Sequence, residues 1–440
     1  MSVALTTALM FGSLIILLMT GLPIAFCLGA LAVVFTAISF GASMLPIVAT
    51  TAIGSMLTLV MIAVPLFIFM GIMLQHSGLA DDLYNTVYQW AGPLRGGLAM
   101  GTVFICTLFA AMAGISGAAT VTMGIIALPA MLKRGYNKNM VVGSIMAGGA
   151  LGILIPPSIT MVVYAFWAEE SVGRLFAGGI FSGLLLSVLF MSYIGIRAYF
   201  QPHMAPAIPK SERVSLRKKV VSLKSVVLPI LLIIVVLGSI MFGIATPTEA
   251  SAVGAAGALI CAAIYRRLTL ENFTKTCRES LKLTVMIMFI AMGAAVFSHV
   301  YEAIGGVEVI KQLIHGLTVN RWLILIAIQV VYLILGCLLD PIGIIMITTP
   351  VFLPIILELG FDPVWFGVLF VVNMEVGFLT PPFGVNLFYM KAIVPKDITM
   401  GDIYRSVIPF VILQLIGLAI CMVFPQIILW LPNTIFGIRP

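Results

Sequence analysis

The sequence predicts an all-α polytopic membrane protein of two inverted-topology repeats, with about ten transmembrane helices and two re-entrant hairpins. Three observations carry this: a composition too apolar for water, a duplicated spacing of glycines and prolines, and opposite charge bias in equivalent loops. Of 440 residues, 62% are hydrophobic and only 9% charged, with a mean hydropathy of +1.20. Such a chain cannot cover a water-facing surface with polar groups.

Stretches 3–19, 225–244 and 411–430 can each cross about 30 Å of hydrocarbon as a helix. The first has neither a basic leading segment nor a small-residue cleavage site, and it reads as a retained helix. Helices are expected near 3–20, 22–41 and 46–75, followed by an amphipathic segment at 79–90. Two apolar pieces, 95–113 and 121–133, are joined by GISGAAT at 114–120. A helix over 139–167, broken at Pro156-Pro157, and another over 172–199 complete the first half.

The second half repeats this design. Pro129, Gly135-Tyr136 and Pro156-Pro157 recur as Pro354, Gly360-Phe361 and Pro381-Pro382, at a constant offset of 225 (354 − 129). Gly152 and Gly377 share that offset, each four residues before its proline pair. Shared composition would not reproduce spacing. The repeats are therefore 1–200 and 226–440, with a basic linker at 201–225. The second hairpin tip falls at 337–343 and the second broken helix at 363–390.

If the joined pieces form a re-entrant hairpin, each repeat crosses the membrane five times, and an odd count inverts the second repeat. Loop charge agrees. The loop after the first hairpin carries Lys133, Arg134 and Lys138, whereas its mate carries Glu358 and Asp362. The linker, Arg266-Arg267, Lys275, Arg278, Lys282, Lys391, Lys396 and Arg405 fall on the side of Lys133, which marks the cytoplasm, and both termini are expected in the periplasm. Trp167, Trp322, Trp365 and Trp430 lie near helix ends and are expected as interfacial anchors.

The net charge of +7 is scattered through short loops and the linker, which suits orientation signalling and not nucleic acid. Six cysteines without CxxC spacing and four histidines without an HxxxH pair give no disulfide framework, zinc or haem signature. That argues against a redox subunit; a passive channel would need a continuous polar pore.

Polar, glycine- and proline-rich backbone at membrane depth is tolerated only where it lines a cavity. Four such places form two pairs: GISGAAT (114–120) with ILIPPSIT (153–160), and CLLDPIG (337–343) with FLTPPFGVN (378–386). Prolines free carbonyls of the preceding turn, and Ser116, Thr120, Ser158, Thr380 and Asn386 add side-chain oxygens, a donor set suited to sodium. Intramembrane acids are rare and functional. Asp340 opens the second tip as a helix cap, cation ligand or proton carrier; Glu375 could meet an ion, substrate or a partner subunit. Gly143, Ala147 and Gly148 read as a helix-packing surface.

With IAVPLFIFMGIML (62–74), GISGAAT (114–120), LGILIPPSI (151–159), GIATPTEASAVGA (243–255), LLDPIGIIMITTPVFLPI (338–355) and GFLTPPFGVNLF (377–388), the chain resembles the large membrane subunit of tripartite ATP-independent periplasmic (TRAP) transporters. The resemblance implies a sodium-driven importer of small organic acids such as C4-dicarboxylates or sialic acid, in the bacterial inner membrane. It implies two partners, a small four-helix membrane subunit on another chain and a periplasmic substrate-binding protein, and an elevator-type movement. It implies sodium ligation by Ser116, Gly117, Pro156, Ser158, Asp340, Thr380, Pro382 and Asn386. Substrate contacts would come from Thr120, Ser158, Glu375 and Asn386. The first tip departs from the family: Ala118 stands where a serine is common.

Overall fold

The computed structural model describes residues 2–315, 319–382 and 384–437, and every regular element among them is helical. The first half contains α1 (Val3–Met19), α2 (Ile24–Phe40), α3 (Pro46–Met56), α4 (Leu59–His76) and α5 (Leu79–Ala91). It continues with α6 (Gly97–Ala113), α7 (Ser116–Leu132), α8 (Lys138–Ala150), α9 (Ile159–Trp167) and α10 (Val172–Phe200). A short α11 (Leu216–Ser222) lies in the linker. The second half runs α12 (Lys224–Met241), α13 (Pro247–Ile264), α14 (Leu270–Ala303), α15 (Gly306–His315) and α16 (Arg321–Gly336). Then come α17 (Pro341–Glu358), α18 (Pro363–Leu379), α19 (Val385–Ile393), α20 (Met400–Val423) and α21 (Gln426–Phe436).

The offset found in the sequence is an offset of elements. Moving α6, α7, α8 and α9 on by 225 places them within four residues of α16, α17, α18 and α19. The turns match in detail. After α7, Gly135 adopts φ +75° and Asn137 caps α8 by accepting the Asn139 amide at 2.9 Å. After α17, Gly360 adopts φ +72° and Asp362 caps α18 by accepting the Val364 amide at 2.8 Å. Glycine tolerates the left-handed turn and the Asn or Asp oxygen satisfies an orphan amide, so one turn design serves both halves.

Seven helical stretches among the described residues are long and apolar enough to cross a membrane, and shorter apolar helices accompany them. Two sets of helices pack most extensively. In one, α4 lies along α13 and α2 along α14; in the other, α6, α7 and α8 pack together, and α18 packs on α16, α20 and α10. Small residues bring backbones close. A Cβ on Gly143 would lie 2.6 Å from the Phe410 ring, and one on Gly148 would lie 2.8 Å from Cys106. Both are packing positions, as the sequence suggests.

Three expectations are corrected. The helix expected over 46–75 is interrupted, because Thr58 is extended (ψ 133°) and starts α4 afresh; its counterpart in the second half is part of the unbroken α14. The first tip is tighter than 114–120: only Gly114 and Ile115 lie between α6 and α7, and Ser116–Thr120 form the first turn of α7. Trp365 is no interfacial anchor, being 2% exposed, with its indole N–H donating to the Cys421 carbonyl at 3.0 Å. Packing of α18 against α16 and α20 buries it beside Phe361 and Trp322.

Candidate substrate and ion site

Each proline pair interrupts a helix, and both pairs contain a cis peptide bond. Proline has no amide hydrogen, so Pro157 cannot serve the carbonyl of Ile153, nor Pro382 that of Phe378. These carbonyls are equivalent under the repeat. In the first half Ser158 substitutes: its buried hydroxyl donates to the Ile153 carbonyl and accepts the Met161 amide at 3.3 Å, capping α9. The corresponding position, Phe383, lies outside the described residues.

Glycines let the hairpins reach the breaks. A Cβ on Gly152 would lie 2.9 Å from the backbone of Ile115 and Ser116; on Gly377 it would lie 2.6 Å from the backbone of Gly336. Gly114, at φ +63°, sits against the Pro157 carbonyl. Each tip therefore rests on the broken helix of its own repeat.

The tips also cross to the other repeat. Hairpin helix α7 packs on α19, and α17 packs on α9. Ser116 Oγ donates to Asn386 Oδ1 at 2.9 Å, both side chains being buried, and the Asn386 amide nitrogen approaches the Met146 carbonyl at 3.5 Å. Gly117 lies against the Tyr389 ring, where a Cβ would be 2.6 Å from Cε2.

A cavity of about 120 Å³ opens where these pieces meet, lined by Ser116, Gly117, Thr160, Asp340, Phe378 and Tyr389, with apolar residues of α4 and α14 opposite. Asp340 caps α17, accepting the Ile342 amide at 3.0 Å, and remains accessible from the cavity. The Asp340 carboxylate and the Ser116 and Thr160 hydroxyls of the lining residues, with Asn386 bonded to Ser116, form a hard donor set that suits a small monovalent cation.

The remaining expected residues are distributed unevenly. Thr120 lies one turn beyond Ser116 on α7, wholly buried against Gly149, and its hydroxyl has no hydrogen-bond partner among the described residues. Thr380 ends α18 and donates to the Val376 carbonyl at 2.6 Å. Pro156 and Pro382 shape the breaks without lining the cavity. Glu375 is apart: it is fully buried on α18 next to Gln414 of α20, does not line the cavity, and neither oxygen has a partner in hydrogen-bonding geometry among the described residues.

A second, wider cavity of about 340 Å³ adjoins the first, sharing Ile115, Gly117, Leu283 and Tyr389. It adds Gln75, Glu279 and Lys282. Glu279 is bound by His76 Nε2 at 3.0 Å, and Lys282 makes no ion pair among the described residues, so its ammonium is available to an anion. Sequence reading missed Tyr389 and Lys282 as residues that line the cavities. Signals were present: Tyr389 lies three residues after Asn386, on one helix face, and Lys282 is the last charge before the uncharged stretch 283–298.

Residues 11–427 match the family described as the DctM component of the tripartite ATP-independent periplasmic transporter. The chain is 39% identical to the C4-dicarboxylate TRAP transporter large permease protein DctM of Pseudomonas aeruginosa, over 85% of this chain and 86% of that one. It is 34% identical to the isethionate TRAP transporter permease protein DctMQ of Oleidesulfovibrio alaskensis, covering 95% of this chain and 65% of that one. Its fold resembles that of the Neisseria gonorrhoeae MtrF efflux pump, with TM-score 0.61 and 14% identity over 92% of this chain and 86% of the other. Duplicated hairpins, paired helix breaks and these relationships lead to one conclusion: the chain belongs to the DctM family, the large permease component of tripartite ATP-independent periplasmic transporters.

Proposed function

We propose that this permease imports a small organic anion together with sodium, the ion being a co-transported substrate held at the paired tips. The single observation that carries the reading is the crossing of the tips, by which oxygens of both repeats converge on one cavity beside Lys282. Ser116, Asn386, Asp340 and the Phe378 carbonyl are the nearest candidates for the ion, with Thr120, Ser158 and Thr380 bordering them. Charge neutralisation by bound sodium would let a carboxylate or sulfonate approach Asp340, with Lys282 supplying the opposing positive charge.

Transport then follows from differential affinity of two states. The helices carrying both hairpins move against those built on α2, α4, α13 and α14, in an elevator-type exchange of the site between the two membrane faces. The wider cavity lies toward the basic end of α14, with Lys275 and Arg278, which the charge rule assigns to the cytoplasm; we read this arrangement as inward-open. A periplasmic binding protein delivers the substrate, and a small membrane subunit completes the complex in the inner membrane.

The test is uptake by the complete reconstituted complex, with its binding protein loaded with a labelled organic acid. An inward sodium gradient is expected to drive accumulation, and its collapse to abolish it. Equal accumulation without sodium would overturn the reading.

A further inference from the structure

A third cavity, of about 120 Å³, lies away from the hairpin tips, among the start of α8, the end of α10 and the start of α20. Its polar lining is chiefly Asn139, Tyr193, Arg197 and Arg405, and its apolar lining includes Met140 and Phe410. No carboxylate lines it. The nearby Asp402 is occupied by Lys138 Nζ at 2.8 Å and by the Thr399 cap. Arg197 spends only its Nε, on Gln201 at 3.0 Å, and Arg405 has no ion pair or hydrogen bond among the described residues. Asn139 Oδ1 is buried without a hydrogen-bond partner among the described residues.

The position of the two arginines in their helices identifies the ligand's surroundings. Arg197 follows an uncharged stretch, 175–196, and Arg405 precedes another, 406–437. Both guanidinium groups therefore stand where apolar helix surface meets the polar zone. Along the same stretches of α10 and α20, Ile196, Tyr199, Phe200, Ile408 and Ile412 are exposed. Two guanidinium groups whose terminal nitrogens make no hydrogen bond among the described residues, a phenol and no carboxylate match the oxygens of a phosphate group, and exposed apolar side chains on the same helices match acyl chains.

We propose that this cavity binds the phosphate of an anionic phospholipid headgroup, held by Arg197, Arg405 and Tyr193. The lipid bridges α8, which packs against hairpin helix α7, to α10 and α20. A free inorganic phosphate has the same head chemistry but gains nothing from the apolar flanks.

The experiment uses the purified full chain in detergent micelles doped with cardiolipin, with phosphatidylcholine, or supplemented with inorganic phosphate. Thermal unfolding and native mass spectrometry are the readouts. Cardiolipin is expected to raise Tm by several degrees and to remain bound, whereas phosphatidylcholine and inorganic phosphate have little effect. R197Q/R405Q should weaken lipid retention by about tenfold or more, while R213Q/R217Q, which removes equal charge from the linker, leaves it intact. The single variant R405Q should give an intermediate loss and serves if the double variant does not fold. Unchanged retention in the cavity variants, equal loss in the linker variant, or equal stabilisation by phosphatidylcholine would overturn the proposal. Equal stabilisation by inorganic phosphate would refute the lipid as its source.

Discussion

Two buried serines that look alike in the sequence do different work. Ser158 is consumed locally: its hydroxyl caps α9 and satisfies a carbonyl that proline leaves unserved. Ser116 instead reaches across the repeats to Asn386. Ser158→Ala should therefore cost about 1 kcal/mol of stability, typical of a lost helix cap, with a modest change in sodium dependence. Ser116→Ala should leave stability closer to wild type and raise the sodium concentration for half-maximal uptake roughly tenfold, the scale of one hydrogen bond to a charged ligand. Thermal unfolding and sodium titration of uptake separate the two; the reverse pattern would show that Ser158, and not Ser116, faces the ion. The sequence identifies both as oxygen donors because polar, glycine- and proline-rich backbone, as at the hairpin tip and the proline break, is tolerated at membrane depth only where it lines a cavity. It cannot say which hydroxyl is already spent, since that depends on the partner brought within about 3 Å.

At the scale of elements, the hairpins and broken helices are held by glycines at duplicated positions. Gly377 meets the Gly336 backbone, which cannot rotate away as a side chain could. Gly377→Ala is thus expected to destabilise the protein by about 1–3 kcal/mol through overpacking and to reduce uptake. Gly238→Ala, where nothing lies within 4 Å, serves as the control and should be neutral or slightly stabilising. The comparison is read by thermal unfolding; equal behaviour of the two variants would remove the close contact as an explanation. These elements are legible because the 225-residue offset marks both turns and both breaks. The interruption at Thr58 is not legible, since neither glycine nor proline punctuates 55–61, apart from polar residues tolerated in either state. Trp365 shows the same limit: hydropathy places an indole near a helix end, but only the neighbouring helices decide whether it meets lipid or protein.

Across the whole molecule, the linker between the two halves docks on the amphipathic helix α5. Tyr88 Oη and Arg134 Nη2 both donate to Glu212 Oε2, the latter at 3.0 Å, and Arg134 lies 4.8 Å from the centre of the Tyr88 ring. Trp90 Nε1 donates to the Lys219 carbonyl at 3.0 Å, and Thr86 Oγ1 to that of Ser222 at 2.9 Å. The hydrogen bonds from Tyr88 and then Arg134 hold the Glu212 carboxyl below its ordinary value of 4.5. With the folded value depressed, the stabilisation is present above pH 4.5 and fades as pH falls through the lower folded value. Hydrogen exchange of residues 201–223 is expected to accelerate in that acid range, and Tyr88→Phe to move the onset to higher pH. An unchanged onset in that variant would assign linker docking to other contacts. By itself, the sequence determined the membrane class, the duplicated design, the location of the breaks and the oxygen-rich motifs, because composition, spacing and proline chemistry are local properties of the chain. Tertiary structure alone decided that each tip crosses to the opposite repeat, that Tyr389 and Lys282 join the cavities and that Glu375 lies apart from them. Those relations bring together residues as far apart as Ser116 and Asn386, and only the packing of helices between them fixes which surfaces meet.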